Sequence, residues 1–394
     1  MSNGRTEAKG FTATDWRLPE HRREAFMRSY LHSLRFANFP GAVYFALPHM
    51  AEALGWDTEQ RYWAAWLNAN TQNPVTTLLL MEAGSYPYQW DEVAAYQYQN
   101  FHTLAWDTDR RHFKTSRVFS RALHEYREIM DTAGSQSKYW AGVRDWDDAW
   151  RRMAALPYMG RLSAWSGLEY MRLLGDQPIP DADTLLLGDA SGSRSHRNAL
   201  ALLHGDDHLL HDPQLNPGFT GKWAPDYVAE LGKLGADLLS EAKDRTQAKV
   251  ATSRVPAQAK TTTAEQSMQH TQAKQGTVEP SYLTLESGLC SFKSFFKKNR
   301  RYPNVYSDMM HERLRWAEAR HGDRFGVLWD ARKAALPPYL RLEDTPGDPG
   351  LKPVKQNLFR ETGEVLLLGH EPEWPDMWST FDQNVADGKY GTCR

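Results

Sequence analysis

The chain has 394 residues, with 47 Lys and Arg against 49 Asp and Glu and a formal net charge of −2. That length holds two or three domains, or one large domain with an appendage. The charge balance excludes a global polycation, so a nucleic acid would have to be met by a local basic patch. The only cysteines are Cys290 and Cys393, too few for a four-cysteine iron–sulfur or zinc site and in keeping with a reducing cytoplasm. No apolar run reaches membrane-spanning length and the polar first residues do not read as a signal peptide, so a cytoplasmic location without a membrane partner is expected. The 15 Trp, 17 Tyr and 15 Phe supply core and, in part, candidates for stacking on bases.

Residues 1–16 are polar and read as frayed. Helical periodicity begins at Glu20 and runs to Phe36 through Phe26, Tyr30 and Leu34. The run Asn38-Phe39-Pro40-Gly41-Ala42-Val43-Tyr44 is a turn that feeds an apolar helix to Leu54. Asp57 caps the next helix, which carries Tyr62, Trp63, Trp66 and Leu67 into Asn68-Ala69-Asn70-Thr71-Gln72-Asn73-Pro74. Amides in such a place need satisfied hydrogen bonds. Asn70, Gln72 and Asn73 are therefore candidates for orienting a base edge or an amino acid, or they merely cap one helix and open the next.

A helix from Trp90 to Leu104 delivers Trp106-Asp107-Thr108-Asp109-Arg110-Arg111-His112-Phe113-Lys114. One reading is a surface loop with internal ion pairs. The other is an anion site with a base beside it: Arg110 and Arg111 suit phosphate oxygens, and Asp107 and Asp109 are candidate catalytic carboxylates. A helix over Val118–Met130 follows, then a Gly/Ser turn, then a helix with Trp146, Ala149, Trp150 and Met153 on one face.

That helix ends at Leu156-Pro157-Tyr158-Met159-Gly160-Arg161-Leu162-Ser163-Ala164, read as a tight turn into another helix. Pro157 stops the first helix, Gly160 gives the turn its freedom, and the small Ser163 and Ala164 let two helices approach. The stretch resembles the hairpin of the helix-hairpin-helix DNA-repair glycosylases at Leu156, Pro157, Met159, Gly160, Ser163 and Ala164. It departs at Tyr158, where that family has its first glycine. The resemblance implies that backbone N–H groups near Gly160 and Arg161 hold a DNA phosphate. It also implies a catalytic Asp downstream, for which Asp183 in Pro180-Asp181-Ala182-Asp183-Thr184 is the closest counterpart. An ordinary helical hairpin with a capping Asp is the plainer alternative.

The segment Gly188–Asn198, with Asp189, Arg194 and His196, is small, polar and basic and opens a helix, as a phosphate-ester site or a surface turn would. It lacks the P-loop pattern. Another helix spans Trp223–Ser240, after which 241–280 turn rich in Ala, Lys, Thr and Gln and read as a disordered or loosely helical linker. Beyond it, Leu289–Pro303 interleaves five cations with four aromatics, so Lys297, Lys298, Arg300 and Arg301 form the expected DNA footprint. A helix over Val305–Arg320 follows. Sustained strand alternation is missing, Glu364–Leu368 aside. The expected fold is mainly α: a helical core over 17–240 resembling the helix-hairpin-helix glycosylases, a basic and aromatic helical segment over 281–345 packing on it, and an irregular tail over 346–394.

The motifs Phe39–Tyr44, Asn68–Thr76, Asp107–Arg111, Arg301–Tyr306, Trp329–Arg332 and Leu336–Tyr339 together resemble the phage amino acid:DNA transferases, relatives of the α-glutamyl/putrescinyl thymine pyrophosphorylases. The resemblance spans about Arg17 to Leu342. It implies transfer of an amino acid or polyamine onto the 5-methylene of pyrophosphorylated 5-hydroxymethyluracil in double-stranded DNA, with pyrophosphate displaced. The partner enzyme would be a hydroxymethyluracil DNA kinase, and the location the host cytoplasm. On this view Asp183 or Asp107 is the base, with Arg110, Arg111, Arg194 and His196 on the pyrophosphate. A divalent ion such as Mg2+ would suit that leaving group, but no ligand cluster calls for one, and no metal ligands are assigned. A base-excising glycosylase and a non-catalytic DNA-binding component of a modification complex are the alternatives.

Overall fold

Apolar residues at three- and four-residue steps build nearly every element of this chain. The computed structural model describes residues 19–35, 37–39, 42–84, 89–106, 116–175, 179–188, 194–206, 223–252, 278–295 and 309–336. In chain order the helices are α1 (Pro19–Arg35), α2 (Val43–Ala53), α3 (Thr58–Thr71), α4 (Pro74–Ala83), α5 (Trp90–Asn100), α6 (Ser116–Ala133) and α7 (Gln136–Trp140). They continue as α8 (Trp146–Ala154), α9 (Arg161–Leu174), α10 (Arg194–His204), α11 (Pro225–Thr252), α12 (Tyr282–Phe295), α13 (Met309–His321) and α14 (Gly326–Ala335). Among the described residues there is no strand.

Local chemistry sets the boundaries. Asp57 closes a capping box at the start of α3: its carboxylate accepts from the Gln60 N–H at 2.8 Å, and the Gln60 side chain accepts from the Asp57 N–H at 2.9 Å. α3 continues through the amide run to Thr71 and ends at Gln72, which is left-handed at φ 50°. Asn73 then caps α4 by accepting from Val75 N–H at 3.0 Å, with Pro74 at the first helical position.

The α8–α9 connection is the hairpin expected from sequence, with one difference in where the backbone bends. Gly160, the N-cap of α9, is extended (φ −69°, ψ 174°), whereas Tyr158 is left-handed at φ 60°. The turn thus needs its unusual backbone conformation at the position where the glycosylase hairpin carries its first glycine, and a tyrosine accepts it here.

α9 is the hub. It packs along α3 and against α2 and α8, while α1, α10, α11 and α12 pack on one another as a second group. Gly167 makes the α8 approach possible, since a Cβ there would sit 2.8 Å from the Met153 sulfur. Aromatic rings fill the space behind α3: Trp63 and Trp66 stack at 5.2 Å, and Trp66 stacks on Tyr126 at 4.2 Å.

Beyond Ser240 the chain first takes the helical alternative. α11 runs on to Thr252, so the boundary drawn at Glu241 cuts a helix. Ala, Lys, Gln and Arg are strong helix formers, and ion pairs pin this turn: Glu241 meets Arg23 at 2.8 Å, and Arg245 meets Glu24 at 2.8 Å. Residues 253–277 and 337–394, including the Glu364–Leu368 stretch, lie outside the described residues.

Candidate active site

Two helices that are otherwise largely apolar each bury a carboxylate: Glu169 in α9 and Glu286 in α12. Around them gather Tyr44 from α2, Arg161 from the first turn of α9, His196 from α10 and Ser287 from α12.

Glu286 sits on the cationic side of this cluster. Its Oε1 lies 3.1 Å from His196 Nδ1 and 3.9 Å from Arg161 Nη1. Arg161 Nη2 donates to the Leu185 carbonyl at 2.7 Å and approaches His196 Nε2 at 3.1 Å. A guanidinium can only donate, so Nε2 accepts and the His196 proton resides on Nδ1, facing Glu286. Burial raises the cost of ionising Glu286, but His196 and Arg161 outweigh it and hold its carboxyl below the usual range. Burial also depresses His196, which is therefore neutral.

Glu169 lies on the other side. It is only 4% exposed. Its Oε1 accepts from the Tyr44 hydroxyl and from Ser287 Oγ, the latter at 3.3 Å. Burial above all, with help from the nearby Glu286 charge and against the two hydroxyl bonds, pushes its carboxyl up to about 8. Two neighbouring carboxylates are thus driven apart, one fixed as the anion and one able to exchange a proton near neutral pH. That separation is how one site comes to hold both an acid and a base.

The residues singled out from sequence fall into three groups. Asp183 occupies an exposed turn between α9 and α10, close enough to Tyr282 in the first turn of α12 to raise that phenol after burial has done so. Two residues on, Leu185 supplies the carbonyl that Arg161 holds. The structure therefore brings Asp183, Arg161 and His196 to one neighbourhood at the start of α12. Gln72 reaches α9, with Nε2 at 3.5 Å from Ser166 Oγ. Asn70 and Asn73 instead bond their own backbone, to Trp66 O at 2.9 Å and from Val75 N–H at 3.0 Å. That is the capping alternative.

The Arg161 side chain is 2% exposed and bonded internally, so it buttresses the cluster, and a phosphate contact at the hairpin falls to the backbone, where Gly160 is exposed. His196, buried and neutral, adds no positive charge toward a pyrophosphate. Asp107, Asp109, Arg110, Arg111, Asp189, Lys297, Lys298, Arg300 and Arg301 lie outside the described residues, as does the side chain of Arg194. Sequence reasoning missed Glu169 and Glu286. The available signal was a lone carboxylate inside an apolar helical face, in Leu168-Glu169-Tyr170-Met171 and Leu285-Glu286-Ser287-Gly288.

The family model for amino acid:DNA transferases matches residues 24–301, a span that runs from within α1 through α12 and holds every residue of this cluster. The chain belongs to the amino acid:DNA transferase family. A relative described as a serinyltransferase, from Salmonella phage ViI, is 27% identical over 295 residues, covering 69% of this chain and 62% of its own length. The transferase chain thus spans less than two thirds of that relative. No solved structure matches it. Among the described residues no helix is long and apolar enough to cross a membrane.

Proposed function

We propose that this transferase joins an amino acid to the 5-methylene of pyrophosphorylated 5-hydroxymethyluracil in DNA, with pyrophosphate leaving. The observation that carries the reading is the family match over 24–301. The serinyltransferase relative makes serine the first amine to try.

The chemistry suits the residue types. The methylene carbon is allylic to the pyrimidine ring and pyrophosphate is a good leaving group, so charge builds on the departing oxygens. Guanidiniums lower that barrier, a role for Arg110, Arg111 and Arg194. The base has to leave the stack to be enclosed, and the α8–α9 hairpin would hold the backbone beside it through backbone N–H groups at the start of α9. Lys297, Lys298, Arg300 and Arg301 would extend the grip on phosphates. The left-handed residue at position 158 supports a core akin to the helix-hairpin-helix glycosylases. Asp183, exposed beside Tyr282, would face the extruded nucleotide.

The test incubates the full chain with DNA bearing the pyrophosphate ester and a mixture of amines, followed by mass analysis of the nucleosides. The expected products are an amine adduct and one pyrophosphate per adduct. Abasic sites with no amine consumed would mean glycosidic cleavage instead. Asp183→Asn and Asp107→Asn, run in parallel, separate the two aspartates: loss of at least tenfold marks the one that acts, and unchanged turnover removes it.

A further inference from the structure

Resting on that transfer reading, we infer that Glu169, held by Tyr44 and Ser287, is the group that takes the proton from the incoming amine. Three observations bear on it. The carboxylate is buried at the meeting of α2, α9 and α12, on the helix that follows the hairpin. Its hydrogen bonds come from Tyr44 and Ser287, and both fall on Oε1. Among the described residues nothing donates to Oε2, which leaves one oxygen for a proton or an ammonium. Glu169 also shares a helix face with Ser166, three residues earlier, where Gln72 arrives.

The groups facing it fit the assignment. From α2 comes Tyr44, whose own ionisation is pushed well up by burial and by Glu169, so it stays a hydroxyl donor. Tyr30 of α1 and Tyr170 of α9 lie behind Tyr44 and are felt by it. From α12 come Ser287 and the Glu286 charge, and beyond Glu286 stand Arg161 of α9 and neutral His196 of α10, which keep Glu286 ionised. A permanent anion beside Glu169 and an apolar surround make it basic enough for an ammonium, which an ordinary glutamate is not.

The step balances. The amine arrives as an ammonium and gives one proton to Glu169. Its freed nitrogen pair forms the C–N bond to the methylene carbon while the C–O bond to pyrophosphate breaks, the electron pair leaving on oxygen. The secondary ammonium so formed loses its surplus proton to water, and Glu169 returns its own to solvent before the next turnover.

The experiment is single-turnover transfer of serine and of a second, less basic amine to ester-bearing DNA, from pH 6 to about pH 9.5, by the full chain, where a carboxyl at about 8 titrates. In the wild type one rising limb follows the amine and a second stays near pH 8 whichever amine is used. Glu169→Gln, nearly isosteric, is expected to lose about 100-fold or more in rate and the fixed limb with it, with DNA affinity retained. Tyr44→Phe removes a bond that favours the Glu169 anion, so the fixed limb moves to higher pH. Turnover by Glu169→Gln within a few-fold of wild type, or a limb that Tyr44→Phe does not move, overturns the assignment. The Tyr44 variant decides the matter if the Gln protein fails to fold. A wild-type protein that yields no adduct with any amine overturns the transfer reading itself, and this assignment with it.

Discussion

Gly288 offers a measurable check on how α12 is seated. A Cβ built at Gly288 would lie 2.9 Å from Tyr30 Cδ2 and 3.4 Å from Cε2. Tyr30 is fully buried and pinned at both ends: its ring stacks on Phe26 at 5.6 Å, and its hydroxyl bonds Thr284 at 2.7 Å. The ring cannot swing aside cheaply, so Gly288→Ala overpacks it at a cost of about 1–3 kcal/mol. Against this, alanine in a helix interior gains up to about 1 kcal/mol over glycine. The net effect is destabilisation of about 1–2 kcal/mol. Gly232 in α11 supplies the control, because a Cβ there meets nothing within 4 Å. Gly232→Ala therefore stabilises by roughly 0.5–1 kcal/mol. Denaturant unfolding of the two variants measures the difference. Equal stability would mean that Tyr30 does not close on α12, and that the placement of Glu286 and Ser287, the residues just before Gly288, is wrong too. With the seating correct, Gly288→Ala also slows transfer, since it displaces the hydroxyl that holds Glu169.

Two further outcomes can be measured without assaying transfer. Glu169 has its folded-state ionisation raised to about 8, so its contribution to stability is complete below its unfolded value near 4.3 and is lost as pH climbs through 8. Between pH 7 and 9 the wild type should lose about 1 kcal/mol relative to Glu169→Gln; His196, depressed below its ordinary value, titrates under this window. Parallel stability curves for the two proteins would show that the carboxyl is not perturbed upward. For DNA binding, replacing Lys297, Lys298, Arg300 and Arg301 with Ala should lower the slope of log affinity against log salt by up to about 0.9 for each phosphate that is no longer neutralised. An unchanged slope would place the footprint elsewhere.

Much of the fold was legible because its causes are local. The Asp57 box, the Asn73 cap with Pro74 behind it, and the stop at Pro157 each depend on residues within a few positions, so pattern and structure agree. Tyr158 is an exception: a tyrosine gives no sign of the left-handed conformation it adopts there. The site was less legible because its causes are remote. Glu169 is 125 residues from Tyr44 and 118 from Ser287, and only that enclosure separates it from any surface glutamate. The basic and amide motifs drew attention by composition. Of these, Arg161 turns its side chain inward, onto the Leu185 carbonyl and toward Glu286, partners 24 residues and more away in the chain.

The placement of the two carboxylates also accounts for the parts of the chain beyond the family match. Glu286 and Ser287 lie after the compositional break at 241–280, yet they complete a cluster begun by α2 and α9, so the helices on either side of that break share one set of buried side chains. The match ends at residue 301, before α13 and α14. Those helices nonetheless brace the site from behind: α14 packs on α2, α13 packs on α4, and Arg324 pairs with Glu82 at the end of α4. Tyr44 reaches Glu169 from α2 only while α2 stays pressed against α9. On the proposed role of Glu169, loosening the last two helices should therefore slow transfer through the position of one hydroxyl, an effect that a variant at the Arg324–Glu82 pair measures.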